Sequence, residues 1–168
     1  MEENIFDKSS TYTVAFIGHR NTPETDELKA ELKSVIEELI KIGAKTFLFG
    51  SNSTFNAISH AVVTELKSAY PDIQRIYVRA QYEHVDDVYL SQLMDKFEDT
   101  YFPPTVRNAG YRSYVKRNQE MIDRCDYLIA YYNEGYEPSG KRGSGRSGTK
   151  IAVDYARSKK KKIVNLFV

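Results

Sequence analysis

The chain alternates two kinds of hydrophobic pattern. Residues 11–18 (TYTVAFIG) form a short β-branched and aromatic run ending in glycine, which predicts a buried strand. Beyond it Leu28, Leu32, Val35, Ile36, Leu39 and Ile40 recur at three- and four-residue intervals as far as Gly43. That spacing predicts an amphipathic helix, with Thr22 as its N-cap and Pro23 at its first position. The pattern then repeats. Residues 45–50 (KTFLFG) read as a strand, and Phe55, Ile58, Val62, Leu66 and Ala69 mark a helix stopped by Pro71. Residues 73–80 (IQRIYVRA) are a third strand, residues 85–100 a helix, and Pro103-Pro104 a break. Residues 111–124 are helical, residues 126–132 (DYLIAYY) make a fourth strand, and residues 133–147 form a Gly-, Ser- and charge-rich loop. A last helix over 148–159 leads to a fifth strand over 162–167.

Strands that alternate with helices must pair in parallel through right-handed crossovers. The fold class expected is therefore α/β, a three-layer Rossmann-like sandwich with a parallel sheet of about five strands, in the order 3-2-1-4-5. No internal repeat interrupts it, and the 168 residues read as one domain. Ligands of such sheets bind beyond the carboxyl ends of the strands, where strand order reverses. That rule points to the crevice between strands one and four.

Three stretches suit an anion there. Gly18-His19-Arg20 ends the first strand, where glycine would admit a ligand closely to the backbone and Arg20 would pair with a phosphate. Gly50-Ser51-Asn52 ends the second, followed by Ser53 and Thr54, residues that cradle phosphate or simply cap a helix. Gly143 to Thr149 (GSGRSGT), with Arg146, Ser147, Gly148 and Thr149, precedes the last helix. It has neither the spacing of a P-loop nor the position of a dinucleotide fingerprint, so ATPase and standard NAD dehydrogenase chemistry find no support.

Composition narrows the setting. The longest stretch free of charged residues, 46–64, is broken by Gly, Ser, Asn and His, so no transmembrane helix is expected. The acidic start MEENIFDKSS lacks the apolar core of a secretory signal, and the single cysteine, Cys125, can form no intrachain disulfide; both favour a cytoplasmic setting. Cys125 reads as a small buried hydrophobe. His19, His60 and His84 share no ligand-like spacing, so neither a metal site nor a cofactor is expected. A net charge of +1 speaks against nucleic acid as a partner. The sum hides an uneven distribution, since residues 1–40 hold nine acids and four bases, whereas residues 139–162 carry nine bases and one acid.

Residues 114–149 carry a resemblance to a known family. Lys116-Arg117-Asn118 with Met121, then Asp126 opening a strand, then Ser147-Gly148-Thr149 opening a helix, are similar to the ERKxxM helix and glycine-loop pattern of the SLOG superfamily, which includes the LOG phosphoribohydrolases and the DprA/Smf proteins. With GHR after strand one and a Gly-Ser turn after strand two, nearly the whole chain resembles small bacterial SLOG proteins of unknown function. The resemblance implies a site for a ribose phosphate or nucleotide-derived ligand, with Arg117 on phosphate or ribose and Thr149 with its helix end on phosphate. Arg117 would also be the catalytic residue if the chain is an enzyme. Tyr82 and Tyr132 are the tyrosines placed to stack on a base.

The pattern also departs from LOG enzymes, because Ala152 stands where they have a catalytic Glu. Glu83 and Glu120 are the carboxylates that neighbouring elements could bring instead. Three functions therefore stand open. The first is a nucleotide or ADP-ribose-like ligand sensor, the second a LOG-like N-glycosidic hydrolase or deoxyribosyltransferase, and the third a DprA-like binder of single-stranded DNA. SLOG relatives often form homodimers, and an apolar outer face over residues 85–100 would serve either a dimer or the core.

Overall fold

The computed structural model describes residues 11–135 and 147–168. Six strands form one parallel sheet: β1 (Tyr12–Gly18), β2 (Ala44–Phe49), β3 (Gln74–Val78), β4 (Asp99–Tyr101), β5 (Tyr127–Tyr131) and β6 (Lys162–Asn165). Their order is β4-β3-β2-β1-β5-β6. The five described α-helices are α1 (Asp26–Lys41), α2 (Thr54–Leu66), α3 (Asp87–Met94), α4 (Ser113–Arg124) and α5 (Gly148–Ser158).

A parallel sheet needs both faces covered, and β1 shows how alternation achieves it. Val14 and Phe16 point to the layer of α1 and α2, where Leu28, Leu32, Ile36, Phe55, Val62 and Val63 close over them. Ala15 and Ile17 point to the opposite layer, packed with Met121 and Ile122 of α4 and Ala152 and Ala156 of α5. Large aromatics fill the first face, with Phe16 stacked 5.0 Å from Phe49 and 6.2 Å from Phe47. Cys125 lies in the second cluster and burial pushes its thiol up to about 12, which fits the packing role expected of it.

Two local expectations are corrected. The cap of α1 is Thr25, whose hydroxyl accepts from the Leu28 N–H at 3.1 Å, with Asp26 and Glu27 in the first turn facing the positive helix end. Thr22 instead donates its hydroxyl proton back to the His19 carbonyl at 2.8 Å, which ties the end of β1. The helix read over residues 85–100 ends at Met94, and β4 follows as a strand the pattern did not reveal. Phe97 turns inward, 4.8 Å from the His60 ring and 5.3 Å from Tyr77. Glu98 is drawn onto Arg75, which it meets at 2.6 Å, with Lys67 at 3.8 Å. Burial pushes the Glu98 carboxyl up, but the bonds from Arg75 outweigh it and leave its pKa lowered. A continuing helix could satisfy neither contact. Among the described residues no helix is long and apolar enough to cross a membrane.

Candidate functional site

The carboxyl ends of β1, β2 and β3 open into a cavity of about 720 Å³, a size that accommodates a small organic ligand. Residues 17–21 line it from β1, residues 50–53 from β2, and Tyr77, Arg79, Ala80, Gln81 and Tyr82 from β3 and its exit. Tyr89 of α3, Tyr114, Arg117 and Asn118 of α4, and Ser147, Gly148 and Thr149 at the start of α5 complete the wall. The crevice between β1 and β5 is therefore not its centre; the cavity extends across β2 and β3.

Arg117 is the more deeply buried of two buried arginines in the described lining, only 3% exposed. Its Nη1 donates to the Gly50 carbonyl and, at 3.3 Å, to the Val78 carbonyl, while Nε donates to Asn118 Oδ1 at 2.9 Å. Its guanidinium carbon lies 5.6 Å from the centroid of the Tyr114 ring. Burial pushes its pKa down to about 10, with the Tyr77 and Tyr114 phenols partly offsetting that. No carboxylate pairs with it among the described residues. Gly50 makes this placement feasible, because a Cβ there would lie 2.7 Å from Arg117 Cδ and 2.8 Å from Met121 Sδ. Arg79, also buried, donates to the carbonyls of Tyr82 (2.9 Å) and Glu83 (3.0 Å) and to Thr100 Oγ1 (3.2 Å), and so shapes the turn after β3.

Two helices present their amino ends to the cavity. Ser53 caps α2 by accepting from the Asn56 N–H at 3.0 Å, and Ser51 Oγ lies 2.9 Å from Ser53 Oγ. Ser147 caps α5 by accepting from the Lys150 N–H at 3.0 Å, with Thr149 buried in the first turn. Free N–H groups and aligned peptide dipoles make such ends favourable for anions. Together with Arg20, Arg79 and Arg117 they give the described lining a positive field, and none of its residues is Asp or Glu.

The structure brings Gly18, His19, Arg20, Gly50, Ser51, Asn52, Tyr82, Arg117, Asn118, Ser147, Gly148 and Thr149 to this one cavity. Arg146 lies outside the described residues. Tyr132 is corrected: it is 2% exposed, packs on Ala130 and Val153 in the α5 layer, and lies behind His19, with ring centroids 5.8 Å apart, rather than in the cavity lining. Gly18 serves packing, since a Cβ there would fall 2.4 Å from Phe55. The two carboxylates considered as stand-ins for the missing LOG glutamate are engaged elsewhere. Glu83 pairs with Arg107, and Glu120 with Arg124 at 2.7 Å. Ala152 is buried in the core. Sequence reasoning misses Arg79, Gln81, Tyr77, Tyr89 and Tyr114 among the residues that line the cavity. The strand-end rule, applied to strand three as well as to strands one, two and four, finds the first two. Among the described residues no group of three His, Cys, Asp or Glu could hold a metal ion.

His19 works as a tie. Its Nε2 accepts the Asn133 N–H at 2.9 Å, and its own backbone N–H donates to the Tyr131 carbonyl at 3.3 Å, joining the ends of β1 and β5. An accepting Nε2 is unprotonated, so the ring is the neutral Nδ1–H tautomer. Burial lowers the pKa of His19, and chiefly burial lowers that of His60, from 6.5. A histidine with a depressed native pKa binds its proton more readily when unfolded, so stability falls as pH drops through 6.5 towards the native value. We expect the urea midpoint to be lower at pH 5.5 than at pH 7.5, and His19→Gln to flatten that slope. An unchanged slope in the variant would remove His19 from the account.

The fold and cleft together define a Rossmann-like α/β protein with a ligand-sized cavity at the carboxyl ends of its parallel strands. The chain belongs to the YspA SLOG family, whose model matches residues 14–166. No curated protein matches the sequence. Among solved structures it is similar to DNA processing protein A from Helicobacter pylori, with a TM-score of 0.57 and 17% identity over 94% of this chain. The chain spans 66% of that protein's length, just under two thirds, and at such identity the likeness is one of fold. The Helicobacter pylori protein has a single-stranded DNA binding mode described as unique. This corrects the inference that a balanced charge speaks against nucleic acid. A protein of the same fold binds it, and a net charge of +1 does not report the three arginines gathered in the cavity.

Proposed function

We propose that the chain binds a nucleotide or nucleotide-derived ligand, of the ribose phosphate or ADP-ribose kind, and acts as a sensor or binding module. The observation that carries this reading is the convergence of Arg20, Arg79 and Arg117 with the amino ends of α2 and α5 on one cavity, without a carboxylate in its described lining. An anion is the ligand such a field favours. Cleavage of an N-glycosidic bond passes through a cationic transition state that a carboxylate should stabilise, and the described wall opposes to it only positive and neutral groups.

The test is a thermal-shift screen against nucleoside monophosphates, ADP-ribose, NAD, ribose 5-phosphate and inorganic phosphate. A ligand that binds only the native state at 100 times its Kd adds about 2.7 kcal/mol, which for a chain of this size is a rise of roughly 5–10 °C in Tm. No shift with any member overturns the proposal. Release of free base from a bound nucleotide would replace the sensor reading with the hydrolase one.

A second reading, binding of single-stranded DNA, is favoured by the likeness to the Helicobacter pylori protein. It requires oligonucleotide affinity at low salt that weakens steeply as salt rises.

A further inference from the structure

Resting on the nucleotide reading, we infer that the β3 side of the cavity is a separate subsite for the flat aromatic ring of a nucleobase, with Tyr82 and Tyr114 as its stacking walls and Gln81 as the group that meets the ring edge. Three elements deliver tyrosines to one place: Tyr82 follows β3, Tyr89 is on α3 and Tyr114 is on α4. Tyr82 and Tyr114 line the cavity yet remain 57% and 50% exposed. Large aromatic surface held at the wall of a concave site, and not packed into the core, is surface available to a ligand.

The rings are held, not merely present. Tyr82 meets Tyr89 edge to face, with centroids 5.9 Å apart and planes at 79°. Such a contact consumes one face of one ring at most, so a further ring can stack. Tyr114 is fixed from two sides, by the Arg117 guanidinium near its ring and by the Gln81 Nε2–H, which donates to its hydroxyl at 2.6 Å. That hydrogen bond also orients the Gln81 amide, which carries one more N–H and a carbonyl, a donor–acceptor pair suited to a base edge.

The strand order supplies the polarity. In the sequence β3-β2-β1, residues 50–53 and Arg20 occupy the β2 and β1 ends, while the tyrosines gather beyond β3. Arg117 lies between them, bonded to the carbonyls at the ends of both β2 and β3 through Gly50 and Val78. Arg79, at the β3 end, is spent on the Tyr82 and Glu83 carbonyls and on Thr100, so a ligand with an anionic end and a flat end has one orientation: phosphate towards β1 and β2, base over β3.

The experiment is titration calorimetry of the full chain with four nucleoside monophosphates and with ribose 5-phosphate, for wild type, Tyr82→Ala, Tyr82→Phe and Tyr114→Ala. Wild type should bind at least one nucleotide about tenfold or more tighter than ribose 5-phosphate, the scale of one stacked base. Tyr82→Ala should erase that advantage and leave ribose 5-phosphate affinity unchanged, and Tyr82→Phe should retain it. Because Tyr82 is exposed, its removal does not threaten the fold. The chain has 13 Tyr and no Trp, so quenching of tyrosine emission by the bound base gives an independent reading that Tyr82→Ala should diminish.

If both alanine variants keep the full nucleotide advantage, or wild type has none, the subsite is overturned while the anion end stands. If neither ribose 5-phosphate nor any nucleotide binds, the free-nucleotide reading fails. In that case Tyr82-dependent binding of a single-stranded oligonucleotide would assign the subsite to a nucleotide unit of a strand, and its absence would overturn the subsite as well.

Discussion

Replacing Gly18 with alanine is expected to destabilise the protein by about 3 kcal/mol, at the upper end of what an added methyl does to a packed core. The new Cβ would lie 2.4 Å from Phe55 Cδ2 and Cγ and 2.5 Å from its Cβ. The last of these is the stiff root of a fully buried side chain, so rotation of the ring cannot relieve the contact. The start of α2 must withdraw from β1. That movement pulls on the Thr54 N–H, which donates to the Arg20 carbonyl at 2.8 Å, and shifts residues 51–53 at the cavity wall. Urea unfolding should show a lower midpoint with an unchanged slope, and Tm should drop by roughly 6–12 °C. A variant within about 1 kcal/mol of wild type would mean that Phe55 packs on the strand end more loosely than these contacts require.

The second large effect concerns binding. Arg117→Ala is expected to weaken the nucleotide that wild type binds by about 100-fold, the scale of one charge-assisted phosphate contact. Alanine also removes the donor to the Gly50 and Val78 carbonyls and the packing on Met121, so lost stability could mimic lost affinity. Arg117→Met separates the two. It restores volume in the same slot and relieves a buried charge that has no acid partner among the described residues, a replacement that buried ions often tolerate. The methionine variant should therefore melt closer to wild type than the alanine variant, and still fail to bind. If it binds nucleotide as wild type does, Arg117 is a structural strut and the proposed anion site is wrong.

Much of this is legible in the amino-acid pattern, for physical reasons that also explain the rest. Helix α1 carries a long three- and four-residue periodicity and strand β1 a continuous apolar run, Val14 to Ile17, so both element types can be assigned at once. Strand β4 has three residues, Asp99, Thr100 and Tyr101, and is a strand only because β3 offers an open edge; no local signal encodes that. Thr22 and Thr25 are equivalent as caps in sequence, and the tertiary bond of Thr22 to the end of β1 decides between them. The cavity lining is readable where glycine, hydroxyl and arginine residues end a strand. Tyr132 misleads because β5 ends one residue earlier and its side chain falls on the buried face. Arg79 is obscured because the pattern over residues 73–80 reads as one strand, whereas β3 ends at Val78 and leaves Arg79 at its exit.

Gly50 and Arg117 form one unit of inheritance. The glycine leaves room for the Arg117 side chain and its carbonyl accepts a hydrogen bond from the guanidinium, so the arginine can hold this position only while the glycine is present. A lineage that kept the arginine could not tolerate a side chain at position 50, whereas one that lost it would still have the Met121 sulfur 2.8 Å from a Cβ there. Across related sequences arginine at position 117 should therefore occur only with glycine at position 50, 67 residues away.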